Sequence, residues 1–117
     1  MDAITSYHNP RCSKSRQTLE LIRAKGLEPT VILYLESPPS AAELADMLTK
    51  LDKRPADITR KTEPEYKSFF GHADQLEDSA YLSLMSQYPK TIERPIVVKG
   101  DKAVIGRPPE LVLSLLD

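Results

Sequence analysis

A chain of 117 residues is long enough for one domain with its own core, without disulfides or a structural metal. Apolar residues make up 40% and charged residues 28%, as in ordinary globular proteins, and the net charge of −1 gives no global field for nucleic acid or an anionic membrane, so any anion site must be built locally. No apolar run approaches the roughly 20 residues of a membrane span, and Met1–Thr5 lacks the basic and apolar regions of a signal peptide, so a cytoplasmic protein with no membrane partner is expected.

Ala3–His8 reads as a short strand, with Ile4 and Tyr7 among small and polar residues, and it stops at Asn9-Pro10. A helix fits Ser13 to Lys25. Leu19, Ile22 and the stem of Arg23 recur at helical spacing, and Lys25-Gly26 is a C-terminal signal. Pro29–Leu35 is a nearly continuous apolar, β-branched run. It suits a buried strand parallel to the first, since a helical crossover joins them.

Ser37-Pro38-Pro39 breaks the pattern, and Ser40-Ala41-Ala42-Glu43 has the form of a capping box. Leu44, Leu48 and Leu51 give one apolar stripe on the helix that follows. Short helices are predicted over Pro55–Arg60, Glu63–Phe70 and Asp78–Tyr88, the last with Leu82 and Met85 facing the core. Strand character returns at Pro95–Lys99, Gly100-Asp101 makes a turn, and Lys102–Ile105 pairs back as a hairpin. Gly106–Glu110 opens a last helix whose Leu111, Val112 and Leu115 can pack on the sheet. The order is β-α-β, a helical insertion at about 38–90, then β-β-α, in a single α/β domain over 1–117.

There is one cysteine, so an internal disulfide and a cysteine-rich zinc site are both excluded. Cys12 opens the first helix, where free N–H groups and the helix dipole favour a thiolate. Arg11, Lys14 and Arg16 favour the anion further, and Ser13 and Ser15 make the setting polar. The competing reading, an inert buried cysteine, calls for apolar neighbours. Thr18 stands where a cysteine phosphatase loop needs its arginine, and Ser15 stands where a Cys-x-x-Cys motif needs its second thiol. The site is a monothiol, and Ser15 can donate a hydrogen bond to the sulfur.

His8, four residues before Cys12, has two readings of equal weight. It orients the turn or lowers the thiol pKa, or it is a polar strand-end residue bonded to backbone. His72 has no partner nearby in sequence and is read as a surface residue. One cysteine and two distant histidines offer no metal site, and no bound cofactor is expected.

His8-Asn9-Pro10-Arg11-Cys12-Ser13-Lys14-Ser15-Arg16 resembles the N-terminal motif of the glutaredoxin-linked ArsC arsenate reductases. So do Tyr34–Pro39, Glu93–Val98 and Gly106–Glu110, in the same order and over essentially the whole chain. The resemblance implies a thioredoxin-like (glutaredoxin-like) mixed sheet, with Cys12 as the catalytic residue and Arg60, Arg94 and Arg107 binding the oxyanion. Pro95 matches the cis proline that thioredoxin folds place against the active cysteine. Arginine suits the role, because planar guanidinium forks match a tetrahedral dianion and offset its charge beside a thiolate. On spacing alone, Arg60 reads equally as a solvated charge among Lys53, Arg54 and Lys61.

The resemblance implies that arsenate binds the arginines, that Cys12 forms a covalent adduct with it, and that glutathione and glutaredoxin complete its reduction from As(V) to As(III). With no resolving cysteine, the remaining thiols must come from outside the chain. Two other readings remain at this stage. One is a monothiol, glutathione-dependent oxidoreductase acting on another substrate. The other is an Spx-like regulatory or adaptor protein, against which the absence of Cys-x-x-Cys counts. Nothing in the sequence demands more than a monomer.

Overall fold

The computed structural model describes residues 3–71 and 76–116; Met1, Asp2 and His72, including the surface reading of His72, lie outside the described residues. The chain divides into two compact units. One comprises the stretches up to Ser37 and from Arg94 onward, and the other spans Pro38–Glu93.

The first unit is built on a four-stranded mixed sheet with the strand order of a thioredoxin-like fold. β1 (Ile4–His8) runs parallel to β2 (Thr30–Leu33), with α1 (Ser13–Ala24) between them in sequence. β3 (Ile96–Lys99) pairs antiparallel with β1, and β4 (Lys102–Ile105) pairs antiparallel with β3, giving the order β2-β1-β3-β4.

β2 departs from the sequence expectation. The apolar run over 29–35 forms only a four-residue strand at the sheet edge, with Thr30 and Leu33 exposed, rather than a buried strand. After Leu33 the backbone turns, and the Glu36 and Ser37 N–H groups both donate to the Leu33 carbonyl, at 2.9 Å each. Pro29 and Tyr34 are the residues of this run that are buried, while Leu33 and Leu35 stay exposed.

The inner face of α1 carries Ser15, Thr18 and Ile22, with Leu19 half-buried. The stem of Arg23 does not join it: its guanidinium faces solvent and makes paired bonds to Glu28 at 3.0 and 2.9 Å. A small side chain is needed at Thr18 because the end of β4 comes close to it. The Gly106 N–H donates to the Pro95 carbonyl at 2.9 Å. A Cβ at Gly106 would lie 2.5 Å from Thr18 Oγ1 and 2.9 Å from Pro95 Cγ.

Ile4, Ile22, Val97, Val112 and Leu115 form the core of this unit, with Leu21, Leu27, Val104, Leu113 and Leu116 packed around them. The final helix expected from Gly106 onward is a 3₁₀ turn, Pro109–Val112, followed by α5 (Leu113–Leu116). The three-residue repeat of a 3₁₀ turn puts Pro109 and Val112 on the same inner side. Leu111 is thereby directed outward and is exposed, contrary to the packing expected for it.

In the second unit, α2 (Ala41–Leu51) starts with a complete capping box. Ser40 Oγ accepts from the Glu43 N–H at 3.1 Å, and Glu43 Oε1 accepts from the Ser40 N–H at 3.0 Å. Its Leu44, Met47 and Leu48 are buried, and Leu51 is half-buried. The helix expected over 55–60 is a shorter 3₁₀ turn, Pro55–Ile58, after which Thr59 forms a single antiparallel bridge with Ile92. α3 (Pro64–Phe69) follows, and then α4 (Asp78–Gln87), which packs on α2 and buries Tyr81, Leu82 and Met85.

Replacing Gly106 with alanine forces a methyl group against Thr18 and the Pro95 ring. Overpacking of this kind costs about 1–3 kcal/mol. Denaturant unfolding of Gly106→Ala should therefore show a lower midpoint with an unchanged slope, and a midpoint equal to wild type would contradict the close approach.

Candidate active site

Strand register brings the functional segments of the first unit to one end of the sheet. His8 pairs with Leu33, Tyr7 with Ile96, and Ile96 with Ile105. The turn after β1, the Arg94-Pro95 approach to β3 and the Gly106-Arg107 exit from β4 all leave from this end. Cys12 is on the first of these segments, Arg94 and Pro95 on the second, and Arg107 on the third.

Cys12 occupies the N-cap of α1 in an extended conformation, φ −95° and ψ 122°. A serine or aspartate at this position would normally accept from the free N–H groups of the next turn. Here the sulfur holds that place, half-buried and without a hydrogen bond of ordinary capping geometry. Burial raises the thiol pKa. The Ser15 N–H, the Arg94 guanidinium, the Ser15 hydroxyl and the Lys14 N–H together outweigh burial, and the pKa falls from 9.0 to about 7. The guanidinium that bonds the sulfur is thus Arg94, from a distant part of the sequence. Lys14 acts through its backbone, and the Arg16 guanidinium is turned to the Pro10 carbonyl at 2.9 Å.

The turn is held by a residue the sequence analysis treated only as a strand stop. The Asn9 carbonyl accepts from the Cys12 N–H at 2.9 Å, and Asn9 Oδ1 accepts from the Arg11 N–H at 3.0 Å. The Asn9 N–H donates to Ser15 Oγ at 3.3 Å. The signal was present: asparagine before proline initiates turns, and its side chain bonds the backbone two residues on.

Arg107 lies beside Arg94, its Nη1 donating to the Arg94 carbonyl at 3.2 Å. Arg94 Nε is buried without a hydrogen-bond partner among the described residues. The Arg94–Pro95 peptide is cis, and so is Arg107–Pro108.

His8 is buried and does not bond the thiol. Burial first, and then the charges of Arg23 and Arg16, hold its pKa below the ordinary 6.5, so it is neutral at pH 7. Its Nδ1 has no hydrogen-bond partner among the described residues, so the reading as a strand-end residue bonded to backbone does not hold for that nitrogen.

Arg60 belongs to the second unit. It is not a solvated charge: its side chain is 22% exposed, with Nη1 3.9 Å from Glu93 Oε2. Its N–H donates to the Thr91 carbonyl at 2.7 Å, and the Glu93 N–H donates to the Ile58 carbonyl at 2.8 Å. Among the described residues no group of His, Cys, Asp and Glu side chains could hold a metal ion. No described helix is long and apolar enough to cross a membrane.

The family model for the ArsC family matches residues 7–115. The chain belongs to the ArsC family. It is 49% identical over 111 residues to YfgD of Escherichia coli strain K12, a protein described as uncharacterized, covering 94% of this chain and 93% of that one. It is 43% identical over 116 residues to a protein of Escherichia coli named arsenate reductase, covering 99% of this chain and 82% of the other. Among solved structures, the arsenate reductase from Vibrio cholerae superposes with a TM-score of 0.91 at 44% identity, covering 97% of both chains.

In this ArsC protein the thiolate fraction of Cys12 should rise with pH about a midpoint near 7. Below that pH the sulfur is protonated and alkylation by a neutral reagent slows. Ser15→Ala removes a donor to the sulfur, and Asn9→Ala loosens the turn that places it. Both variants should move the midpoint of the alkylation rate upward, toward 9.0. Midpoints equal to wild type in both would contradict this account of the thiolate.

Proposed function

We propose that the protein is an arsenate reductase that uses Cys12 as its nucleophile and draws its remaining thiols from glutathione and glutaredoxin. The observation that carries this reading is a lone cysteine with a pKa of about 7, capping α1 and bonded by Arg94. A thiolate of this kind is both nucleophilic and substantially ionised near neutral pH. Attack on an oxyanion brings two anions together, and the neighbouring guanidinium groups of Arg94 and Arg107 offset that repulsion. Arg60 is assigned as the third arginine from the motif resemblance alone.

In the proposed cycle arsenate binds the arginines, the Cys12 thiolate attacks arsenic and water leaves, giving an S–As(V) ester. A glutathione thiolate then attacks the Cys12 sulfur. The S–S bond forms, and the S–As bond breaks with its electron pair going to arsenic, which leaves as arsenite, As(III). Two thiols have been oxidised to one disulfide while arsenic has gained two electrons. Glutaredoxin removes glutathione from Cys12 by thiol–disulfide exchange and restores the thiolate. One cysteine cannot close this cycle without an external thiol. The external thiols place the reaction in a reducing compartment, the cytoplasm. No bound cofactor is required, and a monomer is sufficient.

The test is arsenate-dependent NADPH oxidation coupled through glutathione, glutaredoxin and glutathione reductase. Wild type should turn over, Cys12→Ser should be inactive, and omission of glutaredoxin should stop the cycle. Arg94→Ala and Arg107→Ala should each lose on the order of 100-fold in kcat/KM for arsenate, the scale of losing one charge-stabilising donor. Turnover by Cys12→Ser would refute the proposal.

A further inference from the structure

The thiolate bonds toward β3, through Arg94, whereas a pocket of about 240 Å³ opens on the β2 side of the same turn. Its walls include His8, Pro10, Arg11, Leu33, Leu35 and Glu36. Three features of these walls are left unsatisfied among the described residues. His8 is 6% exposed, and its Nδ1 lacks a hydrogen-bond partner among the described residues. Leu33 and Leu35 are each 37% exposed although apolar. The charges of Arg11 and Glu36 make no ion pair among the described residues. Buried polar groups without partners and exposed apolar walls are costly, and both mark ligand sites.

We infer that this pocket is the subsite for the reducing tripeptide, glutathione, and that it delivers the thiol to the Cys12 sulfur from the side opposite the arginines. Glutathione is a zwitterion with carboxylates at both ends, one ammonium group and two amides. Arg11 suits a carboxylate and Glu36 the ammonium. The neutral His8 Nδ1 suits an amide, and the leucines suit the methylene groups. A dianionic oxyanion fits poorly, because Glu36 repels it and the leucines cannot solvate it. At about 240 Å³ the pocket is smaller than the ~300–1,000 Å³ of typical ligand sites, so it holds part of the tripeptide while the rest lies outside it. The inference rests on the reductase reading for the step the thiol performs, in which the S–S bond forms as the S–As bond breaks toward Arg94 and Arg107.

The experiment is a titration of the full wild-type chain with S-methylglutathione, which binds without reacting, followed by backbone amide chemical shifts. Shifts should concentrate at Arg11, Leu33, Leu35 and Glu36. Arg11→Gln and Glu36→Gln should each weaken binding about fivefold, the effect of losing one exposed charge pair. In the coupled assay Glu36→Gln should raise KM for glutathione by that factor, and by more than it changes KM for arsenate. Absence of shifts at these residues, or wild-type affinity in both variants, overturns the subsite. If wild type binds S-methylglutathione here but does not reduce arsenate, the subsite stands and the reductase reading falls. If it reduces arsenate without this binding, the reverse holds.

Discussion

An α-helix begins with free N–H groups, and in most proteins a fixed oxygen acceptor satisfies some of them. In α1 that position is held by the Cys12 sulfur, which can serve as a full acceptor only when ionised. The missing oxygen cap forgoes on the order of 1 kcal/mol of helix stability. The free end of the helix in turn favours the thiolate, so reactivity and the local stability of α1 are coupled at one atom. The other groups at the turn serve this arrangement. Asn9 closes it, Ser15 links Asn9 to the sulfur, and Arg94 supplies the guanidinium that bonds it.

The sheet allows that meeting of distant segments. Because β3 and β4 run antiparallel in register, residues 94–95 and 106–107 arrive at the C-terminal end of β1. Gly106 permits the close approach, since a side chain there would strike Thr18 and Pro95. Arg94 bonds the Cys12 sulfur and Arg107 bonds the Arg94 carbonyl, so two guanidinium-bearing residues stand at this end of the sheet, a setting that suits a dianion. The sheet order also gives the turn two distinct flanks, with the arginines on one and the His8–Glu36 pocket on the other.

Much of this was legible in the sequence because the signals were local. The Ser40–Glu43 capping box, the hairpin around Gly100 and the strand–turn–helix carrying Cys12 each depend on a few adjacent residues. What was missed depends on placement in three dimensions. An apolar run does not say whether its strand lies at the edge of the sheet, and β2 does. Helical spacing placed Leu111 inward, but the segment is a 3₁₀ turn with a different repeat. Apolar spacing through Leu19 and Ile22 puts Arg23 on the stripe of α1, whereas the inner face runs through Ser15, Thr18 and Ile22, and Thr18 is met there by Gly106 from far along the chain. The cysteine was identifiable from its neighbours, yet the guanidinium that bonds it comes from Arg94 and not from Arg11 or Arg16. Asn9 carried a recognisable turn signature, but its part in the sulfur's hydrogen-bond network shows only once Ser15 is placed.

The central claim is that one sulfur carries the whole reaction and passes its oxidation to an external thiol. The most direct measurement is a single turnover of the wild-type chain with arsenate and glutathione, glutaredoxin omitted, quenched in acid and read by intact mass spectrometry alongside arsenite release. The account predicts a glutathione mixed disulfide on Cys12, formed in equal amount with arsenite. Arsenite released while Cys12 stays a free thiol, in a reaction that still requires the protein, would contradict it.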